Sequence, residues 1–267
     1  MTANMAELAD EHREQLRDAK RALENPGLAM RLTNLIGAPI EKGIEQLPAD
    51  WRARIVGLTR TSLSKALDVA LLTIDAQGPP LASDLLHRLA VSVTGGIGGA
   101  FGLASLAVEL PVSTTIMLRS IADIARSEGE NLRAPGTQVA CIEVFALGGR
   151  STQDDAVESS YFAIRAALGQ AVTEATHHLA TTAGVKSAAP PVVRLITAVA
   201  SRFGVVVSEK AAAQAVPIVG AGGGALINNL FMDHFQTMAR AHFRIRHLER
   251  AYGADVVEAA YRAMPRA

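Results

Sequence analysis

AAAQAVPIVGAGGGALINNLFM, residues 211–232, runs for twenty-two positions without a charged side chain. A counterpart, LAVSVTGGIGGAFGLASLAV at residues 89–108, does so for twenty. Each is long enough to cross a bilayer as a helix, which takes about 20 apolar residues. Glycines recur four apart in both: Gly95 with Gly99 and Gly98 with Gly102 in the first, Gly220 with Gly224 in the second. That spacing clears one side of a helix of side chains and lets two backbones approach closely. Two apolar helices are therefore expected to lie at the centre of the molecule, wrapped by other helices or given to a membrane. No segment alternates apolar and polar residues with period two, so no sheet is expected. The fold class is all-α, a multi-helix bundle around two glycine-rich apolar central helices.

The flanking segments support that reading. Residues 5–24 carry alternating charges and stop at Asn25-Pro26-Gly27. A weaker helix over 31–46 is interrupted by Pro39. Asp50 is placed to cap a third, with Ile55, Leu58, Leu63, Leu67 and Leu71 on its apolar face. Glu109-Leu110-Pro111 reads as a junction, followed by an amphipathic helix that ends near Gly129. Pro135-Gly136 precedes TQVACIEVFALGG, closed by Gly148-Gly149. Beyond a capping pattern at Ser151–Asp154, the residues Val157, Tyr161, Ile164, Leu168, Val172, Ala175 and Leu179 form one seam at spacings of three and four. A loop at 181–191, a helix over 192–203 and a short helix at 255–264 complete the chain. Three regions are expected: an N-terminal helical region 1–80, a core 81–253 and a short C-terminal helix within 254–267.

Composition removes several function classes. Net charge is zero, so a nucleic-acid binder that works by neutralising phosphates is not expected. Cys141 is the single cysteine, which rules out an intrachain disulfide and a zinc site of several thiolates. The first twenty residues are polar and lack an apolar signal region, so the expected location is the cytoplasm, including the inner face of a membrane. Gly220-Ala-Gly-Gly-Gly-Ala225 has the spacing of a dinucleotide loop. The region about 20 residues on is basic where that motif needs an acid. Close helix packing is the better account of these glycines, and no cofactor is expected.

Candidate chemistry is sparse. Glu143 is the only charge between Arg133 and Arg150. A carboxyl in so apolar a helix would have a raised pKa suited to acid–base work, and Arg165 is a candidate partner. Asp123 and Asp233 are the other acid–base candidates. Asn229 and Asp233, four apart, could supply half of an oxygen-ligand metal site. Arg240, Arg244, Arg246, His247 and Arg250 form a basic stretch after the second apolar run. Such a stretch suits anionic headgroups, and it also complements the C-terminal dipole of its own helix.

The chain resembles the EcsC family of bacterial proteins. The resemblance lies in ELPVSTTIMLRSIADIARSEGE (109–130), CIEVFALGG (141–149), SSYFAIRAAL (159–168) and the stretch from Arg202 to Gly253. It implies an all-helical bacterial protein with a membrane-linked accessory role and supplies no catalytic residues. Three functions are therefore carried forward. The first is a non-enzymatic accessory protein at the cytoplasmic membrane face, with membrane lipid or a membrane complex as partner. The second is a hydrolase-type enzyme with Glu143, Asp123 or Asp233 converging in a pocket. The third is a module that holds an acyl chain between the central helices.

Overall fold

A computed structural model describes residues 8–24, 28–37, 44–45, 51–73, 106–148, 160–182, 188–215 and 220–265. Within them nine helices follow in order: α1 (Asp10–Glu24), α2 (Leu28–Ile36), α3 (Trp51–Thr73), α4 (Leu106–Ser127) and α5 (Pro135–Leu147), then α6 (Ser160–Thr181), α7 (Pro190–Ala215), α8 (Gly220–Tyr252) and α9 (Ala254–Ala263). There is no strand among the described residues, and the fold is an all-α helical bundle. Gly95, Gly98, Gly99 and Gly102 lie outside the described residues, as do the capping pattern at Ser151–Asp154, Val157 and Asp50.

The helices α4, α5, α7 and α8 form the interior. The helix α3 packs on α4 and α7, α1 on α8, and α6 on α5 and α7. Phe145 of α5, Phe203 of α7 and Phe231 and Phe235 of α8 are fully buried. Their ring centroids lie 4.8 Å (Phe145–Phe203), 5.2 Å (Phe145–Phe235) and 5.3 Å (Phe203–Phe235) apart. Tilted and edge-on aromatic contacts at such separations add specific attraction to the area buried. Four of the chain's seven phenylalanines thus fill the space between three helices.

Two expectations are corrected. Pro111 does not mark a junction but lies inside α4, which starts at Leu106. Proline costs a helical hydrogen bond. Here the buried seam of Leu106, Leu110 and Met117 continues through it and holds the turn. The run 211–232 is not one helix: residues 211–215 end α7 and residues 220–232 begin α8.

Glycine is required at two turns. Gly129 follows α4 with φ +82°. Around it Glu130 N–H donates to Ala125 O (3.0 Å) and Gly129 N–H to Arg126 O (3.1 Å), the paired bonds of a Schellman cap. Gly253, with φ +90°, makes the bend between α8 and α9.

Candidate functional site

The helices α4 and α8 run parallel, because Ser120 meets Gln236, Glu128 meets Arg244 and Glu130 meets Arg246 at a constant separation of 116 residues. At 1.5 Å per residue, the starts of the pair lie roughly 30 Å from the turn after α4. The two ends differ in chemistry.

At the first end, Glu109 immediately follows the first apolar run and Lys210 immediately precedes the second. They are each other's partner: Lys210 Nζ lies 2.5 Å from Glu109 Oε1, with side chains 0% and 3% exposed. Glu109 is in the first turn of α4 and Lys210 is near the C-terminal end of α7, so both helix dipoles favour the arrangement. Gln214 Nε2 donates to Glu109 Oε2 at 3.3 Å, and the ammonium lies 4.7 Å from the centroid of the Phe231 ring. Burial lowers the Lys210 pKa while the Glu109 carboxylate opposes that shift. Around this pair the surface is apolar: Val108 is 75% exposed, and Val112 and Leu226 are each 44% exposed. The parallel register puts Leu226 level with the segment between those valines. Gly224 is buried in the same turn region of α8, and Gly220 is its first residue.

The other end is charged. Arg244 grips both Glu128 oxygens through Nε (2.9 Å) and Nη2 (2.8 Å). Arg246 Nε donates to Glu130 Oε1 at 2.9 Å, and Arg250 joins the same oxygen. Burial acts to raise the Glu130 pKa, but Arg246, Thr137 and Arg250 outweigh it and the net shift is downward. His247 is exposed and Arg240 half-buried. Arg240 and Arg244 face Gln15, Asp18 and Ala19 of α1 across a shallow groove of about 200 Å³. The basic stretch is therefore engaged, in large part, by carboxylates of the turn after α4.

At the charged end, on the side of α8 toward α6, lies a polar cluster. Arg165 of α6 makes a two-point ion pair with Glu249 of α8, at 2.6 and 3.1 Å. The same guanidinium reaches the Tyr161 hydroxyl (3.3 Å), which lies 3.0 Å from His242 Nδ1. Glu143 of α5 is 4% exposed beside this group. Its pKa is raised by burial, against the pull of Arg165 and Arg246. The expected neighbour Arg165 is present, although its two-point partner is Glu249. Burial pushes the Cys141 thiol up to about 12, which leaves it a packing residue with no thiolate to react.

The remaining acid–base candidates are engaged elsewhere. Asp233 accepts from Arg31 Nη2 of α2 at 2.5 Å, and Asp123 pairs with Arg126 of its own helix at 3.8 Å. Asn229 is half-buried, one turn from Asp233. No group of three or more His, Cys, Asp or Glu among the described residues could hold a metal ion.

His234, next to Asp233, donates from Nε2 to Gly148 O at 2.9 Å. Burial is the main reason its pKa is pushed down to about 4. An unfolded histidine takes up its proton near pH 6.5, so between that value and about 4 the unfolded chain holds the extra proton and gains. The expected result is a loss of about 3 kcal/mol of stability across that window, read as a falling urea midpoint. His242 acts in the same direction. Glu143, raised in the fold, acts in the opposite one from its folded value down to the ordinary carboxylate range. A midpoint constant from pH 7 to 4.5 would show that the buried imidazoles do not govern acid stability.

Residues 10–248 match the family model of the EcsC protein family. The chain belongs to the EcsC family. The EcsC match begins in α1 and ends in the last turns of α8, so it takes in the Glu109–Lys210 pair and most of the charged end, and stops one residue before Glu249. No curated protein and no solved structure matches the chain. Sequence reasoning did not find the Glu109–Lys210 pair or the Tyr161–His242 contact. The signal for the first was visible, since each apolar run is bounded by one of the two charges. The second joins residues separated by 81 positions, with no local pattern to link them.

Proposed function

We propose that this EcsC-family chain is a non-enzymatic helical accessory protein that docks on the cytoplasmic face of a membrane through the apolar end of its bundle. One observation carries the reading: exposed Val108, Val112 and Leu226 lie at one level of the parallel helices α4 and α8, while the arginines at the far end are occupied by Glu128 and Glu130. Exposed apolar patches of this kind mark association surfaces. A second feature agrees. Pro190–Gln214 contains an 18-residue window of mean hydropathy 1.5, half of it buried, and is long and apolar enough to cross a membrane by length and composition. Its other role is visible in the fold, where it supplies Phe203 and Lys210 to the interior. Asp233 and Asp123 pair with Arg31 and Arg126 and Glu143 is enclosed in the interior, which favours an accessory role over catalysis. The phenylalanine cluster fills the space between α5, α7 and α8 and leaves no room for an acyl chain there.

Fractionation of untagged protein with high-salt and carbonate washes tests the reading. Retention through high salt is expected, with loss of retention in the triple variant Val108→Ser, Val112→Ser, Leu226→Ser. These side chains are exposed, so the fold is expected to survive. Release by salt alone would assign attachment to charge, and a protein found wholly in the soluble fraction would overturn the proposal.

A further inference from the structure

The polar cluster between α6 and α8 is built so that a single proton reverses one of its bonds. Arg165 donates to the Tyr161 oxygen, so the Tyr161 hydroxyl proton is directed to Nδ1 of His242, 3.0 Å away. That leaves the proton of the neutral imidazole on Nε2. Among the described residues Nε2 is buried without a hydrogen-bond partner. His242 itself is 0% exposed. A second proton on the ring must go to Nδ1. There it would point at an oxygen that already accepts from a cation, and Tyr161 would have to turn its own proton elsewhere in a closed interior.

The surrounding charges do not ease this. From α8 itself come Arg246 and Glu249, and Glu249 is held at two points by Arg165 of α6. From α5 comes Glu143, whose carboxyl is kept above the usual range by burial. From α9 comes Tyr261, whose ring lies 6.0 Å from that of Tyr161. Behind Tyr261 stand Lys20, which donates to the Tyr261 carbonyl, and Glu24 of α1. The charges that act on the His242 ring are the guanidiniums of Arg165 and Arg246, and both oppose its protonation. Uptake of a proton therefore adds like charge beside Arg165 and breaks the Tyr161–His242 bond, which leaves the Arg165–Glu249 pair as the remaining link to α6.

We propose that the Glu249–Arg165–Tyr161–His242 chain is an acid-operated catch that holds α8 to α6 at neutral pH and is loosened when His242 is protonated, giving a form that binds bilayers more strongly. The inference rests on the membrane reading above and adds its regulation. Loosening frees the C-terminal turns of α8 and exposes apolar side chains now buried beside the catch, such as Phe243 and Ile245.

The full chain is tested at pH 7.5 and 5.0 by flotation with phosphatidylcholine vesicles, with and without phosphatidylglycerol, and by fluorescence of a hydrophobic dye that reports loosened packing. The variant His242→Gln keeps a neutral acceptor for Tyr161 and cannot take up the proton. The wild type is expected to gain about tenfold in dye signal and in binding to both vesicle types at the lower pH, with the variant flat. A dye response that rises equally in the variant overturns the catch. So does a binding increase confined to anionic vesicles and retained in the variant, which belongs to surface charge. Strong binding at both pH values overturns the catch and keeps the membrane reading. A dye response lost in the variant, with no vesicle binding by either protein, keeps the catch and overturns the membrane reading. If His242→Gln fails to fold, the ring-proton titration of His242 in the wild type replaces it: coincidence with the dye midpoint supports the catch, and a separate midpoint overturns it.

Discussion

Alanine at position 148 is expected to destabilise the protein by about 2–3 kcal/mol, the usual range for overpacking a tight interior. A Cβ there would lie 2.7 Å from His234 Nε2 and 2.9 Å from Phe235 Cε1. Neither neighbour can withdraw. His234 Nε2 is bound to the carbonyl of Gly148 itself, and Phe235 is fixed among Phe145, Phe203 and Phe231. The backbone of Gly148 is ordinary, with φ −76°, so the loss is steric and not a matter of backbone strain. Gly169→Ala is the matched control. It sits inside α6, where an added Cβ would meet nothing within 4 Å, and a gain of about 0.5–1 kcal/mol is expected there from helix propensity. Urea midpoints of the two variants should move in opposite directions. A Gly148→Ala midpoint equal to that of the wild type would mean that the contact between the end of α5 and α8 is looser than its geometry.

The second large effect is expected at Lys210. Lys210→Met leaves the Glu109 carboxylate enclosed without its cation, and a loss of about 3–5 kcal/mol is expected. Adding Glu109→Gln should restore most of it, because the neutral amide still offers an oxygen to Gln214 Nε2 and no buried charge remains unpaired. The double variant is expected within about 1 kcal/mol of the wild type. The coupling free energy from the mutant cycle is the measurement. If the single and double variants lose equally, the ammonium contributes by packing on Phe231 and not by pairing.

The elements that the sequence declared most clearly are those with a repeating apolar face. Tyr161, Ile164, Leu168, Ala175 and Leu179 of α6 are buried as their spacing predicts, because the helical repeat writes a buried face directly into the residue order. Ile55, Leu63 and Leu67 of α3 behave the same way. Local punctuation served less well. Pro111 lies within a helix whose buried seam outweighs the lost bond. The run 211–232 holds the end of α7 and the start of α8 without a charged residue to announce the change, since Ala211–Ala213 and Ile227, Phe231 and Met232 are all buried. Pro217 was the visible clue. The arginines after that run were read by their own segment alone, and their partners Glu128 and Glu130 stand 116 residues earlier.

Lys20 connects the structure to its own synthesis. It is 5% exposed, and its ammonium donates to the carbonyls of Tyr261 and Met264, 241 and 244 residues later. His12 meets Tyr252 across 240 residues. At about 5–20 residues per second, translation leaves α1 waiting on the order of 10–50 seconds for the surface that completes it. For much of that interval the first uncharged run is already outside the ribosome, with Glu109 still lacking its lysine. Contacts so distant in sequence slow folding, and the nascent chain is most open to chaperones, to aggregation or to capture by a bilayer while its last helices are still being made.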